Sequence, residues 1–179
     1  QEPRVLVHYA SLKDMRTAIR VQDEFCKNDK TDFHQMVANM AGIERKQAKT
    51  INLGLFYGMG NKKLAAELGL DTDQAYELFN KYHNKVPFVK ELSRQVSNVA
   101  GSRGYIKTLL GRKRRFDMWE PRDSWGERAY TLSEAHAHYP KQELKRAYTH
   151  TALNALIQGS SADITKAAML KIYEDGYLD

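Results

Sequence analysis

The sequence predicts a mainly α-helical chain with one small β-hairpin. Three observations predict it. Apolar residues recur at helical spacing through most of the first hundred positions. Helix starts and stops punctuate that pattern: Asp32 before Phe33, Gly42 after Ala41, Asp71 and Thr72 before another periodic run, and then Pro87. One stretch, 105–116, instead carries strand-type residues on either side of Gly111.

Taken in order, residues 4–27 hold Val5, Leu6, Tyr9, Met15, Ile19 and Phe25 at helical spacing. A helix over 33–41 lies between the Asp32 cap and Gly42, and a second runs over 44–57. Shorter helices follow over 61–69 and 73–84. Pro87 interrupts, a helix resumes over 88–100, and residues 101–104 read as a turn. Residues 105–110 read as a strand and 113–116 as its hairpin partner. The polar segment 117–140, with Trp119, Pro121, Trp125 and Pro140, reads as a long irregular connection, a length that points to function or mobility. One long helix is expected over 141–173, kinked at Gly159.

The chain has 179 residues, enough for one domain or one large subdomain. Lys and Arg exceed Asp and Glu by 28 − 22 = 6, and the isoelectric point is about 9.3. Such an excess suits a polyanionic partner, nucleic acid or nucleotides. Cys26 is the single cysteine, which excludes an internal disulfide. No apolar run approaches the roughly 20 residues of a membrane span, so no membrane partner is expected. The chain opens at Gln1 without a Met and without a signal segment, as expected of an excised piece.

The informative stretch begins at Arg45. Arg45, Lys49, Leu53 and Tyr57 are each four residues apart, so on a helix they form one drifting stripe. Two cations sit near its N-terminal end and two apolar side chains near its C-terminal end. That layout suits a nucleoside triphosphate: phosphates against Arg45, Lys49 and the positive end of the helix dipole, base against Leu53 and Tyr57. Gly54 and Gly58 lower helix stability, so they point to close packing or a hinge. Farther on, Arg112, Lys113, Arg114 and Arg115 form a basic run suited to phosphate contacts without sequence preference. Asn154 and Gln158 share a helix face and could hydrogen-bond minor-groove acceptors.

The segment from Ala48 to Gly58, preceded by Arg45, resembles motif B of the family A DNA polymerases. Glu2, in the opening run Gln1-Glu2-Pro3-Arg4-Val5-Leu6-Val7, falls where the family's sugar-pocket glutamate follows the motif A aspartate. Asp32-Phe33-His34 resembles the family's Asp-x-His. Thr108-Leu109-Leu110-Gly111-Arg112-Lys113-Arg114 resembles its Thr-x-x-Gly-Arg-Arg stretch. The run from Asn154 to Asp163 resembles the helix whose Asn and Gln contact primer–template. Leu53 stands where an aromatic residue is usual.

The resemblance implies the fingers subdomain and part of the palm of a right-hand polymerase: palm over 1–12, fingers over 13–103, and a return to the palm over 104–179. It implies template-directed addition of dNTPs to a primer 3′ end by two-metal phosphoryl transfer. Lys49 is the expected catalytic residue. Glu2, His34, Arg45, Lys49, Leu53 and Tyr57 are the expected dNTP contacts, and Thr108, Arg112, Lys113, Arg114, Asn154 and Gln158 the expected DNA contacts. Mg²⁺ is the implied cofactor of the intact enzyme. Its ligands are expected outside the chain, in an aspartate just before Gln1 and a His-Asp-Glu soon after Asp179. The fragment alone is therefore expected to be inactive. Its partners would be primer–template DNA, dNTPs and the rest of the polymerase, in the cytoplasm of a bacterium or phage-infected cell or in an organelle. The alternative is a non-catalytic basic helical module that binds nucleic acid; such a module has no reason to carry the Arg45–Tyr57 stripe.

Overall fold

The computed structural model describes every residue except Asp14, Asp29, Tyr57, Gly58, Ser124, Trp125, Leu178 and Asp179. The chain divides into two compact units, Gln1–Ser93 and Arg94–Asp179. As expected it is mainly helical, with small antiparallel sheets.

The first unit holds α1 (Glu2–Ser11), α2 (Arg16–Lys27), α3 (Phe33–Ala41), α4 (Arg45–Phe56), α5 (Asn61–Leu68), α6 (Thr72–Lys85) and the start of α7 (Pro87–Arg103). The single periodic run over 4–27 is two helices. Helix α1 ends at Ser11 and α2 starts at Arg16, capped by an extended Met15, and Leu12 is 67% exposed, so the apolar pattern there does not follow one buried face. Helix α3 has the predicted ends. Asp32 caps it, and Gly42 closes it at φ 61°, a left-handed conformation that glycine adopts without strain. Helix α6 starts on a reciprocal capping box between Asp71 and Gln74. The core includes Leu6, Phe33, Val37, Ile51, Phe56, Leu64 and Tyr82, all at most 3% exposed. Gly54 packs where a side chain cannot: a Cβ there would lie 2.7 Å from Leu64 Cδ1, so its place in α4 reflects the close approach of α5. Gly58 lies outside the described residues.

The second unit carries the rest of α7, the hairpin β1 (Tyr105–Lys107) and β2 (Lys113–Arg115), strands β3 (Met118–Pro121) and β4 (Tyr130–Thr131), α8 (Leu132–His138), β5 (Leu144–Arg146) and α9 (Ala152–Glu174). The expected hairpin forms and pairs antiparallel, Tyr105 opposite Arg115 and Lys107 opposite Lys113, with β1 ending at Lys107 instead of running to 110. Three expectations are corrected. Residues 101–103 complete α7, and only Gly104 turns, at φ 76°. A side chain there would also strike the Arg146 guanidinium, 2.7 Å from an ideal Cβ. The connection over 117–140 is not irregular throughout: it contains β3, β4 and α8, the last started by a capping box of Thr131 and Glu134. The long helix begins at Ala152, not at 141. Residues 144–146 instead pair with β3, Trp119 opposite Arg146, giving the sheet order β4-β3-β5. Tyr148 then adopts φ 61°, which interrupts helical backbone before a 3₁₀ turn leads into α9. Helix α9 runs unbroken through Gly159.

Candidate phosphate and nucleic-acid sites

In the first unit the site is built where α3 begins and α4 begins. Asp32 Oδ1 accepts the backbone N–H groups of His34 (2.9 Å) and Gln35 (3.1 Å), capping α3. Its Oδ2 accepts from Arg45 Nε (2.8 Å) and pairs with Nη2 (2.8 Å). One carboxylate therefore ties the first residue of α4 to the first turn of α3. Burial alone would push the Asp32 carboxyl up, but the Gln35 N–H and the Arg45 guanidinium outweigh it and hold the group below the usual carboxylate range.

His34 is half-buried beside these charges. Burial, followed by the like charges of Arg45 and Lys49, pushes its pKa down against the opposing pull of Asp32. The structure thus brings His34 near Arg45 and Lys49, the two cations that the spacing sets on one face of α4. Arg45 and Lys49 are exposed, Leu53 is half-buried, and the buried face of α4 carries Ala48, Ile51 and Asn52. The stripe therefore passes from solvent toward the core along the helix. Tyr57 lies outside the described residues. Glu2 sits half-buried in the first turn of α1. An open, cationic start of a helix beside a half-buried imidazole can take an oxyanion with several oxygens.

Two polar residues behind this site were not singled out from the sequence. Asn52 is fully buried, and its amide joins His34 Nδ1 (3.1 Å) to the hydroxyl of Tyr82 (2.5 Å), also fully buried. A polar residue on the apolar face of α4 was the available cue.

In the second unit, Thr108, Arg112, Gly159, Ser160 and Asp163 form one hydrogen-bonded cluster. Arg112 donates from Nε to Asp163 Oδ1 (2.9 Å) and from Nη2 to the Gly159 carbonyl (2.8 Å). The Leu109 N–H donates to Ser160 Oγ (3.1 Å) and the Arg112 N–H to Thr108 Oγ1 (3.1 Å). Bonds from the Thr108 hydroxyl, then Arg112 and the Leu110 N–H, hold the Asp163 carboxyl below its usual range against its burial. The cluster clamps the hairpin turn onto α9. Thr108 is buried, and Arg112 keeps about half its side chain exposed with one edge committed to Asp163. Lys113 and Arg114 are exposed and lie over the rings of Tyr105 and Phe116. Asn154 is half-buried, with an Oδ1 that is buried and without a hydrogen-bond partner, whereas Gln158 is exposed.

Among the described residues no three His, Cys, Asp or Glu side chains converge to hold an ion, and Asp163 is committed to Arg112 and Thr108. No described helix is long and apolar enough to cross a membrane.

The family model for DNA polymerase family A matches residues 1–177. A DNA-directed DNA polymerase of Pseudomonas phage M6 is 37% identical over 98% of this chain, and DNA polymerase I of Helicobacter pylori 26695 is 30% identical over 97%. The POL domain of Pol1 from M. smegmatis, solved in complex with DNA primer-template and dNTP, superposes on 98% of the chain with a TM-score of 0.66 at 27% identity. The chain spans 29% of the phage protein, 17% of the Helicobacter protein and 29% of the solved chain. On this match over nearly its whole length, the chain belongs to DNA polymerase family A.

Proposed function

We propose that this chain supplies the nucleotide-positioning part, and some of the DNA contacts, of a template-directed DNA polymerase. Residues 13–103 would be the fingers, with palm segments at 1–12 and 104–179. The carrying observation is the convergence of His34, Arg45 and Lys49 at the start of α4, on a stripe that runs toward the core through Leu53.

In this reading the triphosphate of a dNTP meets Arg45, Lys49 and His34, and the base end meets Leu53 and Tyr57, with Glu2 beside the sugar. The reaction is nucleotidyl transfer: the primer 3′ hydroxyl loses its proton, its oxygen bonds to the α-phosphorus, and the bond from that phosphorus to the bridging oxygen of pyrophosphate breaks. Negative charge grows on the departing pyrophosphate, and a fixed ammonium at Lys49 favours that moment over the ground state. Arg45 reaches the phosphates with the N–H groups that Asp32 leaves free. Lys113 and Arg114 would touch DNA phosphates, Thr108 and Arg112 hold that basic strand to α9, and Asn154 and Gln158 read the minor groove. Mg²⁺ ligands of the intact enzyme would be carboxylates outside this chain, as the family resemblance implies.

The test is protection of Lys49 from amine acylation, read by mass spectrometry on the 179-residue chain. dNTP should protect Lys49 selectively against the other lysines, and inorganic tripolyphosphate should protect it partly. Equal labelling of Lys49 with and without dNTP would remove the nucleotide reading.

A further inference from the structure

His34, Asn52 and Tyr82 come from three different helices, α3, α4 and α6, and form one buried hydrogen-bonded chain. Its direction can be read from its lengths. The Tyr82–Asn52 contact of 2.5 Å lies in the range of O–H···O bonds and below that of N–H···O bonds. The Tyr82 hydroxyl therefore faces the amide oxygen of Asn52, and the amide nitrogen faces His34 Nδ1 at 3.1 Å. Reversing the amide would leave the hydroxyl proton of a fully buried tyrosine without this acceptor, which is costly for a buried donor. With the amide so placed, Asn52 Nδ2 donates and His34 Nδ1 accepts. An imidazole that accepts at Nδ1 carries its proton on Nε2.

We propose that Asn52 and Tyr82 are positioning residues that fix His34 as the Nε2–H tautomer, so that the ring meets a phosphate oxygen as a hydrogen-bond donor through Nε2. This rests on the reading of His34 as a phosphate contact. The alternative tautomer would offer phosphate a lone pair at Nε2, so the amide orientation decides between attraction and repulsion. Burial, Arg45 and Lys49 together disfavour an imidazolium here, against the opposing pull of Asp32. A ring kept neutral binds phosphate only if its proton is on the correct nitrogen. A polar residue inside an apolar helix face also gains a reason, since Asn52 has both a donor and an acceptor to place.

The experiment is ¹⁵N–¹H correlation of the His34 ring in the 179-residue chain, above the ring's titration range, with a parallel titration of inorganic tripolyphosphate. The wild type should show protonated Nε2 and unprotonated Nδ1. Asn52→Asp, which turns a donor into an acceptor at the same place, should move the proton to Nδ1. Tyr82→Phe removes only the hydroxyl and should yield a tautomer mixture, with tripolyphosphate affinity lowered roughly two- to tenfold, the value of one hydrogen bond. Backbone amide spectra identify variants that keep the fold. A wild-type ring protonated on Nδ1, or folded Asn52→Asp and Tyr82→Phe chains with unchanged tautomers, overturns the proposal. A wild-type ring protonated on Nε2 whose resonances ignore tripolyphosphate supports the relay and removes the phosphate-contact reading, so the two failures are distinguishable.

Discussion

Replacing Gly159 with Ala tests how tightly α9 is held against the hairpin turn. Two effects of opposite sign compete. Alanine is a better helix former than glycine by up to about 1 kcal/mol. Against that, an ideal Cβ at 159 would lie 2.7 Å from Thr108 Cγ2, short of ordinary van der Waals contact by at least 3.4 − 2.7 = 0.7 Å. Thr108 cannot easily retreat. It is buried, β-branched, and bonded through its hydroxyl to the Arg112 N–H. Overpacking of this kind costs about 1–3 kcal/mol. The net expectation is destabilisation of about 0–2 kcal/mol. Gly101 provides the internal comparison, because it also lies in a helix of the same unit but nothing stands within 4 Å of its added Cβ. Gly101→Ala should stabilise by a few tenths to about 1 kcal/mol. Subtracting one result from the other cancels most of the propensity effect and leaves the clash, about 1–3 kcal/mol. Urea unfolding of both variants measures it, followed by a probe in the second unit. If Gly159→Ala stabilised as much as Gly101→Ala, the packing of Thr108 on α9 described above would be wrong.

Three further outcomes are expected. On the proposed function, Lys49→Ala in the intact protein that carries this segment should lower single-turnover nucleotide incorporation by roughly 10²–10³-fold while primer–template affinity changes little; near-normal turnover would make the stripe structural. Replacing Lys113 and Arg114 together with Ala should weaken DNA binding without changing sequence preference and should flatten its dependence on salt by nearly two counterions, measured by fluorescence anisotropy at several salt concentrations. Acid should destabilise the first unit in two steps. The folded state resists protonating His34, so the unfolded chain binds more protons once pH falls below the ordinary histidine value of 6.5, and stability drops through that window until the lowered folded pKa is reached. Asp32, whose folded pKa is also lowered, contributes stability that is complete above the carboxylate range and is lost as pH falls through and below it. His34→Gln should flatten the upper step alone in denaturant midpoints recorded against pH; an unchanged upper step would assign it to another group, such as His83, which burial and Lys90 shift the same way.

What could be read from the sequence divides by distance along the chain. Helix α3 is bounded by Asp32 and Gly42, with nine residues between them, and both ends act through their immediate neighbours, so both are legible. The hairpin is equally local. The sheet β4-β3-β5 is not: Trp119 pairs with Arg146 across 26 intervening residues, and its strands are only two to four residues long, too short to show alternation. Its one local signal was Thr131-Leu132-Ser133-Glu134, a capping-box pattern ahead of α8. Helical periodicity through 144–151 is real but loses to the pairing of 144–146 with β3 and to the left-handed backbone of Tyr148. The site divides in the same way. The spacing from Arg45 to Lys49 places both cations on one face, which the sequence shows. That Asn52 meets Tyr82, 30 residues later, and that Arg112 meets Asp163, 51 residues later, depends on how helices pack, and no local pattern encodes it.

The carboxylate of Asp32 separates its duties between two atoms. Oδ1 holds the backbone N–H groups that start α3, and Oδ2 holds Arg45. A competing oxyanion that draws the guanidinium away takes a partner from Oδ2 and leaves Oδ1 in place. The helix start therefore keeps its own acceptor atom when Arg45 changes partner. Capture or release at Arg45 needs no backbone bond to break, so it can proceed at the picosecond-to-nanosecond pace of an exposed side chain, without waiting for a turn of helix to melt and reform.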